Sequence, residues 1–296
     1  MKINLANIKK AKKLLDKSDC VGVPTETVYG LAGNAYSDRA CNKIFRLKKR
    51  PKYNPLIVHY YNYQDLEKDC ELNDNFFKLY KEFCPGPITF VLNLKESSNI
   101  SNLVTNNKKT LAVRFPKHPV TRYLLKKLNY PLAAPSANLS SKVSAVCSAD
   151  VKEDFGKKIK YILEGGKAQI GIESTIIDLR RKPKILRLGG LEISKIKKTL
   201  KKKIQMSINS NKIISPGQLR LHYSPGIPIR LNAKNVKDNE AFLLIKKKKK
   251  MEKNFFYLSV NGNLKEAAKN LYSTFRKIKK SNFKSIAVAK VPNFGL

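Results

Sequence analysis

Over the first 190 residues, short apolar runs alternate with amphipathic helical stretches, and proline, glycine or a polar cap closes most of them. No run approaches the roughly 18 apolar residues of a membrane span, so the apolar faces must meet one another in layers of helix on sheet. Asn4 is placed to cap a helix over 5–17, where Leu5, Ile8, Leu14 and Leu15 share a face. Cys20 to Pro24 reads as a buried strand, Ser37 or Asp38 opens a helix to about Lys48, and Leu56 to His59 is a strand. A helix over 74–83 stops at Cys84-Pro85-Gly86-Pro87. Strands follow at 88–94 and 110–115, a helix at 119–128, a short strand at 132–134, and further strands near 160–163, 173–179 and 184–188. This order is too irregular for a regular βαβ repeat and predicts an α/β domain with a mixed sheet.

The pattern changes after Gly190. Residues 192–203 read as a very basic helix. Residues 204–228 contain Ser215-Pro216-Gly217 and His222-Tyr223-Ser224-Pro225-Gly226, turn formers without periodicity, and read as linker. Strands at 229–232, 241–245, 255–259 and 286–289, with a helix over 263–279, predict a smaller second α/β unit. The expected division is a large domain over 5–195, a linker over 196–228 and a small domain over 229–296.

Sixty basic residues stand against 22 acidic ones, a net charge of +38. Such a surface draws polyanions such as RNA or nucleotides. Most of the excess is lysine beside abundant asparagine and isoleucine, which is also how compositional drift looks. The run Lys246 to Lys250 reads as a solvated loop and receives no site. The five cysteines (Cys20, Cys41, Cys70, Cys84, Cys147) form no Cys-x-x-Cys pair. Structural zinc and a disulfide framework are therefore not expected, and neither is a metal site. With no secretory pattern at the start, the chain reads as cytoplasmic, reduced and without a membrane partner. Phosphate-loop, Rossmann, His-Glu-x-x-His and Gly-x-Ser-x-Gly signatures are absent.

Five segments carry chemistry. Pro24-Thr25-Glu26-Thr27-Val28-Tyr29-Gly30-Leu31 follows an apolar strand. It suits a small polar ligand, and equally a turn that satisfies its own backbone. Lys48-Lys49-Arg50-Pro51-Lys52-Tyr53-Asn54-Pro55-Leu56-Ile57-Val58-His59 brings cations to a helix end. There they can converge on phosphate oxygens or simply complement the helix dipole. Thr110-Leu111-Ala112-Val113-Arg114 ends a strand with an arginine, fit either for a ligand carboxylate or for a structural ion pair. In Ala133-Ala134-Pro135-Ser136-Ala137-Asn138-Leu139-Ser140, with Ser144 beyond, small residues admit a ligand to the backbone. Ser136 and Asn138 point the same way if the chain is extended. Last come Glu173-Ser174-Thr175-Ile176-Ile177-Asp178 and Arg187-Leu188-Gly189-Gly190.

Each segment alone is weak, but their order and spacing are specific. The chain resembles the YrdC-like family in its long, two-domain form. The family's Pro-Thr-Glu-Thr-x-Tyr-Gly-Leu stands at 24–31, its Lys-x-Arg at Lys48 and Arg50, its Ser-x-Asn at Ser136 and Asn138. Its Ser-Thr-Ile/Val-x-Asp stands at 174–178 and its Arg-x-Gly at Arg187 and Gly189. The resemblance is strong over 5–195, continues through His222-Tyr223-Ser224-Pro225, and is less specific at Leu264 to Tyr272.

The resemblance implies a twisted mixed sheet with helices around a large open cavity, plus a small C-terminal α/β domain joined by a linker. It implies a nucleotidyltransferase that condenses L-threonine, bicarbonate or CO2, and ATP into threonylcarbamoyl-adenylate and pyrophosphate. That adenylate serves tRNA threonylcarbamoyladenosine formation, through a tRNA-modification transferase complex that receives it. By resemblance, Lys48, Arg50, Ser136 and Asn138 form a phosphate-binding tetrad, and Lys52, Thr110, Ser144, Arg187 and Tyr223 also contact ATP. Tyr223 would reach over from the linker as a lid. Thr25, His59, Arg114, Ala134 and Ser174 would hold threonine, with Arg114 on its carboxylate. His59 is alternatively a satisfied core histidine. Mg2+ would arrive with ATP, without a dedicated protein cage. The alternative is a non-catalytic RNA-binding module of the same fold, making an RNA contact through its basic surface. A carbamoyl-transfer maturation factor sharing the domain would carry zinc-finger cysteine pairs, which are missing here. Two departures stand out. Lys49 occupies a position where the family usually has glycine. The second domain lacks the family's usual final helix, which predicts either a cut-short product or a reduced domain.

Overall fold

The computed structural model describes residues 3–207, 223–249 and 252–292. Ser215-Pro216-Gly217, His222, Lys250 and the closing residues 293–296 lie outside the described residues.

Local signals set the first elements. Helix α1 (Leu5–Asp16) begins at Asn4, whose side chain accepts from the Asn7 N–H at 3.2 Å, and it buries Ile8, Ala11 and Leu15. Strand β1 (Val21–Val23) turns back antiparallel on β2 (Gly30–Asn34). Helix α2 (Asp38–Lys48) is capped by the Ser37 hydroxyl. It packs closely on β2, since a Cβ on Gly33 would stand 3.3 Å from that of Ala40. There follow β3 (Ile57–His59), α3 (Tyr63–Leu66), α4 (Asp74–Phe83), β4 (Ile88–Asn93), α5 (Asn102–Thr105) and β5 (Thr110–Arg114). Next come α6 (Pro119–Lys126), β6 (Leu132–Ala133), α7 (Ser148–Phe155), β7 (Thr175–Asp178), β8 (Lys184–Arg187), α8 (Ile193–Leu200) and β9 (Gln205–Met206).

These strands make one nine-stranded sheet in the order β1-β2-β6-β3-β5-β4-β7-β8-β9. The pairs β3/β5, β4/β7 and β8/β9 are parallel and the rest antiparallel, so the sheet is mixed, as the irregular element order requires. The strand expected near 160–163 is only a single bridge from Ile162 to Gly22. β9 lies in the stretch read as linker and extends the first sheet.

The second unit contains β10 (Ile229–Arg230), β11 (Glu240–Lys246), β12 (Phe255–Ser259), α9 (Leu264–Lys280) and β13 (Ser285–Val288). Its strands are all parallel, in the order β10-β13-β11-β12. Lys247, Lys248 and Lys249 are exposed beyond β11, as a solvated run should be. The two units share an apolar cluster: Val28, Val143, Val146 and Ala168 from the first pack with Leu243, Phe256, Phe275 and Ile278 from the second. The segments that carry the chemistry gather along this seam.

Candidate active site

Parallel pairing of β3 with β5 sets His59 opposite Arg114, and antiparallel pairing of β4 with β5 sets Thr89 opposite Arg114. The loop before β7 brings Ser174 beside them, its hydroxyl 2.7 Å from that of Thr89. On the next strand the Arg187 side chain turns back, its Nε donating to the Ser174 carbonyl and its Nη2 to the Ser174 hydroxyl, both at 3.1 Å. The result is a pocket lined by Thr25, Arg50, His59, Arg114, Ala134, Ser136, Ser174, Arg187 and Tyr223, together with Glu173 and the backbone near Gly30 and Pro135. Among the described residues, three arginines thus face one pocket. Its free volume is about 40 Å³, far below the roughly 300–1,000 Å³ of a ligand pocket. Tyr223 forms part of its wall.

The proposed phosphate tetrad gathers, but not four-square around empty space. Lys48 is buried, and its ammonium donates to the Ser136 carbonyl at 2.5 Å and the Asn138 carbonyl at 2.6 Å. Burial, then the Arg50 charge, pulls the Lys48 ammonium well below the ordinary lysine range. Arg50 is clamped by the Asn54 carbonyl at 3.0 Å, the Asn54 side-chain oxygen at 2.6 Å and the Pro55 carbonyl at 2.8 Å. The Asn138 amide donates to the Leu139 and Lys142 carbonyls, shaping its own loop. Lys48 and Asn138 are therefore the frame of the pocket, and Arg50 and Ser136 are its lining.

Among the other residues expected at the site, Thr25 lines the pocket but has its hydroxyl engaged in its own turn, donating to the Val28 carbonyl at 2.6 Å. The segment satisfies its own turn and also contributes to the pocket wall. Ser144 is buried just behind the pocket and donates to the Glu173 carboxylate. Two residues are not brought to the pocket. Thr110 starts β5, four residues from Arg114, hence roughly 13 Å along an extended strand. It shares a face with Ala112 and Arg114, so it can meet only the far end of a long ligand. Lys52 is exposed and faces a separate groove of about 870 Å³ behind α2, which Arg50 alone shares with the pocket.

His59 and Arg114 carry a signal of their own. The His59 Nδ1 and the Arg114 Nε are buried and have no hydrogen-bond partner among the described residues. Buried polar atoms are nearly always satisfied, so two orphans on one pocket wall mark a place for a ligand. Burial and the Arg114 charge hold the His59 imidazole well below its usual range, so it is neutral. Arg114 is also half of a structural ion pair: its Nη2 donates to Glu26 at 2.7 Å, and both side chains are buried.

Three participants were not singled out from the sequence. Glu26 and Glu173 stood inside quoted motifs without a role, and Tyr272 stood in the second unit. The Tyr272 hydroxyl reaches Glu173 at 2.6 Å, and its ring stacks on Tyr223 with centroids 5.9 Å apart. Glu26 was legible as the one acid in its motif facing a lone strand-end arginine; Tyr272 had no such signal. Among the described residues no three His, Cys, Asp or Glu side chains gather to hold a metal, and no helix is long and apolar enough to cross a membrane.

The chain matches the Sua5/YciO/YrdC family model, whose description is "Telomere recombination", over residues 13–189. The model "Threonylcarbamoyl-AMP synthase, C-terminal domain" matches residues 191–296. Threonylcarbamoyl-AMP synthase of Pyrococcus abyssi is 38% identical over 228 residues, covering 75% of this chain and 66% of that protein. The Bacillus subtilis protein of the same name is 37% identical over 233 residues, covering 77% and 67%. This chain spans about two thirds of the length of those relatives. The crystal structure of P. abyssi Sua5 complexed with L-threonine superposes with a TM-score of 0.91 at 31% identity, covering 100% of this chain and 92% of that one.

Proposed function

The chain belongs to the Sua5/YciO/YrdC family in its two-domain form, and on that footing we propose that it is an L-threonylcarbamoyladenylate synthase. The amine of L-threonine, neutral, adds to CO2 derived from bicarbonate. A carbamate oxygen then attacks the α-phosphorus of ATP, and the bond to pyrophosphate breaks. Three anions meet in this reaction, so the site needs fixed donors and cations more than a strong base.

The observation that carries this reading is the convergence of Arg50, Arg114 and Arg187 on one pocket beside the orphaned His59 Nδ1 and Arg114 Nε. Arg50 and Ser136 would meet the triphosphate, with Lys48 and Asn138 fixing their loop and lending charge. Ser144, Arg187 and Tyr223 would complete the nucleotide side, and Thr110 and Lys52 would touch only its extremities. Arg114 would take the threonine carboxylate through its free edge. Neutral His59, with Thr25, Ala134 and Ser174, would recognise the rest of the amino acid. Mg2+ fits as part of the MgATP substrate, because phosphate oxygens and water satisfy its ligand needs. Tyr223, part of the pocket wall, would act as the lid over the nucleotide. The adenylate would pass to a tRNA-modifying transferase in the cytoplasm.

The test is pyrophosphate release measured with threonine against serine, and with bicarbonate omitted. Release that needs both threonine and bicarbonate is expected. Release that ignores either one overturns this reaction, and no release at all leaves the non-catalytic RNA-binding module instead.

A further inference from the structure

Glu173 is an anomaly: a carboxylate on the wall of a pocket otherwise furnished for anions. It is 8% exposed and held by two hydroxyls. Ser144 donates to one oxygen, and Tyr272, from α9 of the second unit, donates to the other at 2.6 Å. Helix α9 is itself fixed against the strand of chain that leads into Glu173. Gly171 has φ +79°, and a Cβ there would stand 2.5 Å from the Lys269 backbone. At its far end, Arg276 donates to Asp154 at 2.7 Å and to the Val143 carbonyl at 3.2 Å. The Tyr272 hydroxyl is thus a donor of fixed position, and burial, then the Glu173 charge, keeps it protonated by holding its pKa well above the ordinary tyrosine range.

We infer that Tyr272 is a positioning residue by which the second domain holds the Glu173 carboxylate back from the cations of the nucleotide site. The inference rests on reading the pocket as the ATP site. Lys48 lies within the electrostatic reach of Glu173, and Arg187 lines the same pocket. A carboxylate that loses its Tyr272 donor turns toward those cations and competes with triphosphate for them. The same donor frees Ser144: its single hydroxyl proton serves one acceptor at a time, and Glu173 keeps one partner when Ser144 moves to a phosphate oxygen.

The test uses the full chain and inorganic triphosphate as the binding probe, followed by calorimetry, with adenylate kinetics alongside. Tyr272→Phe keeps the ring stack and the apolar cluster. It is expected to weaken triphosphate binding about tenfold, the loss typical of one hydrogen bond to a buried charge. It should raise the ATP KM similarly and leave the threonine KM within about twofold. Adding Glu173→Gln to Tyr272→Phe removes the competing charge and should restore binding most of the way. If Tyr272 were merely structural, that second change would worsen the defect. Unchanged triphosphate binding in Tyr272→Phe, or a double variant weaker than the single, overturns the inference. A wild type that binds triphosphate but makes no adenylate overturns the proposed function and leaves the inference to be decided by the two variants. A wild type that binds no triphosphate overturns both.

Discussion

The buried pair between Glu26 and Arg114 gives the sharpest stability prediction. The side chains are 4% and 5% exposed and meet at 2.7 Å. The second Glu26 oxygen accepts the Lys117 backbone N–H at 2.9 Å. Glu26→Ala removes the carboxylate and leaves a buried guanidinium whose Nε already lacks a partner among the described residues. Breaking a buried pair from one side costs about 3–5 kcal/mol, because the surviving charge stays desolvated. At about 2–4 °C per kcal/mol for a domain of this size, the melting temperature should drop by roughly 6–20 °C. Arg114→Ala should cost nearly as much, towards the lower end, since Glu26 retains the Lys117 donor. The double variant strands no charge. It should therefore be more stable than the sum of the singles predicts, by about 3 kcal/mol. Urea unfolding followed by circular dichroism at pH 7 measures all four corners of the cycle. Additivity within about 0.5 kcal/mol would refute the reasoning: Glu26 would not be what holds Arg114 in place. Arg114→Ala should also raise the threonine KM far more than the ATP KM.

Lys48→Ala should lower adenylate formation more than about 100-fold and, by taking the Lys48 donor from the Asn138 carbonyl while the Ser136 carbonyl keeps the Asn138 N–H, destabilise the chain by about 1–3 kcal/mol; pyrophosphate release and chemical denaturation check the two effects. Lys49 sits at φ +50° as the C-cap of α2, a conformation that costs a residue with a Cβ about 1–2 kcal/mol, so Lys49→Gly should stabilise by about 0.5–1 kcal/mol after its own entropy loss, read from the urea midpoint. His59 has its folded-state pKa held below the ordinary 6.5; the unfolded chain therefore takes up a proton first as pH falls, and stability drops below pH 6.5 by up to about 1.4 kcal/mol per unit until the folded value is reached. His59→Gln removes that contribution, so its stability curve between about pH 6.5 and 5.5 should be shallower than that of the wild type; parallel curves would place the imidazole in water.

Long periodic elements were legible in the sequence because their period is a property of the chain itself. α1, α2, α4, α6 and α9 show it, and so do β4, β5 and β11. β2 was not legible: Gly-Leu-Ala-Gly-Asn lacks the branched and aromatic residues of a strand, and its glycines serve contacts with Ala40, Ile44, Val23 and Ala134 that only the fold creates. The short helices α3 and α5 span four residues each, too few to display a period. Site membership divided the same way. Arg114 and His59 announced themselves as polar groups at the ends of apolar strands. The competing interpretations of Thr25 and Arg114, as ligand contacts or as internal partners, could not be separated in sequence, and the folded geometry shows why: each side chain has one edge engaged within the protein and still lines the pocket. Tyr272 was hidden because its partner is 99 residues away.

The partners of these side chains also explain how such a cluster of cations stays folded before any anion arrives. The Lys48 ammonium and the Arg50 guanidinium are held by neutral oxygens, the carbonyls of Ser136, Asn138, Asn54 and Pro55 and the Asn54 side chain. Neutral acceptors fix direction and satisfy donors without cancelling charge, so the Arg50 guanidinium keeps its field for an anion to meet, while burial and the Arg50 charge work against the positive charge on Lys48. Arg114 is treated differently: a full carboxylate, Glu26, already faces one of its edges. Its attraction for a second anion is correspondingly milder, which fits the single carboxylate of the proposed amino-acid substrate. The two kinds of partner divide the cations, Arg50 on neutral oxygens and Arg114 beside a carboxylate, a division that fits the proposed triphosphate and amino-acid sides of the pocket.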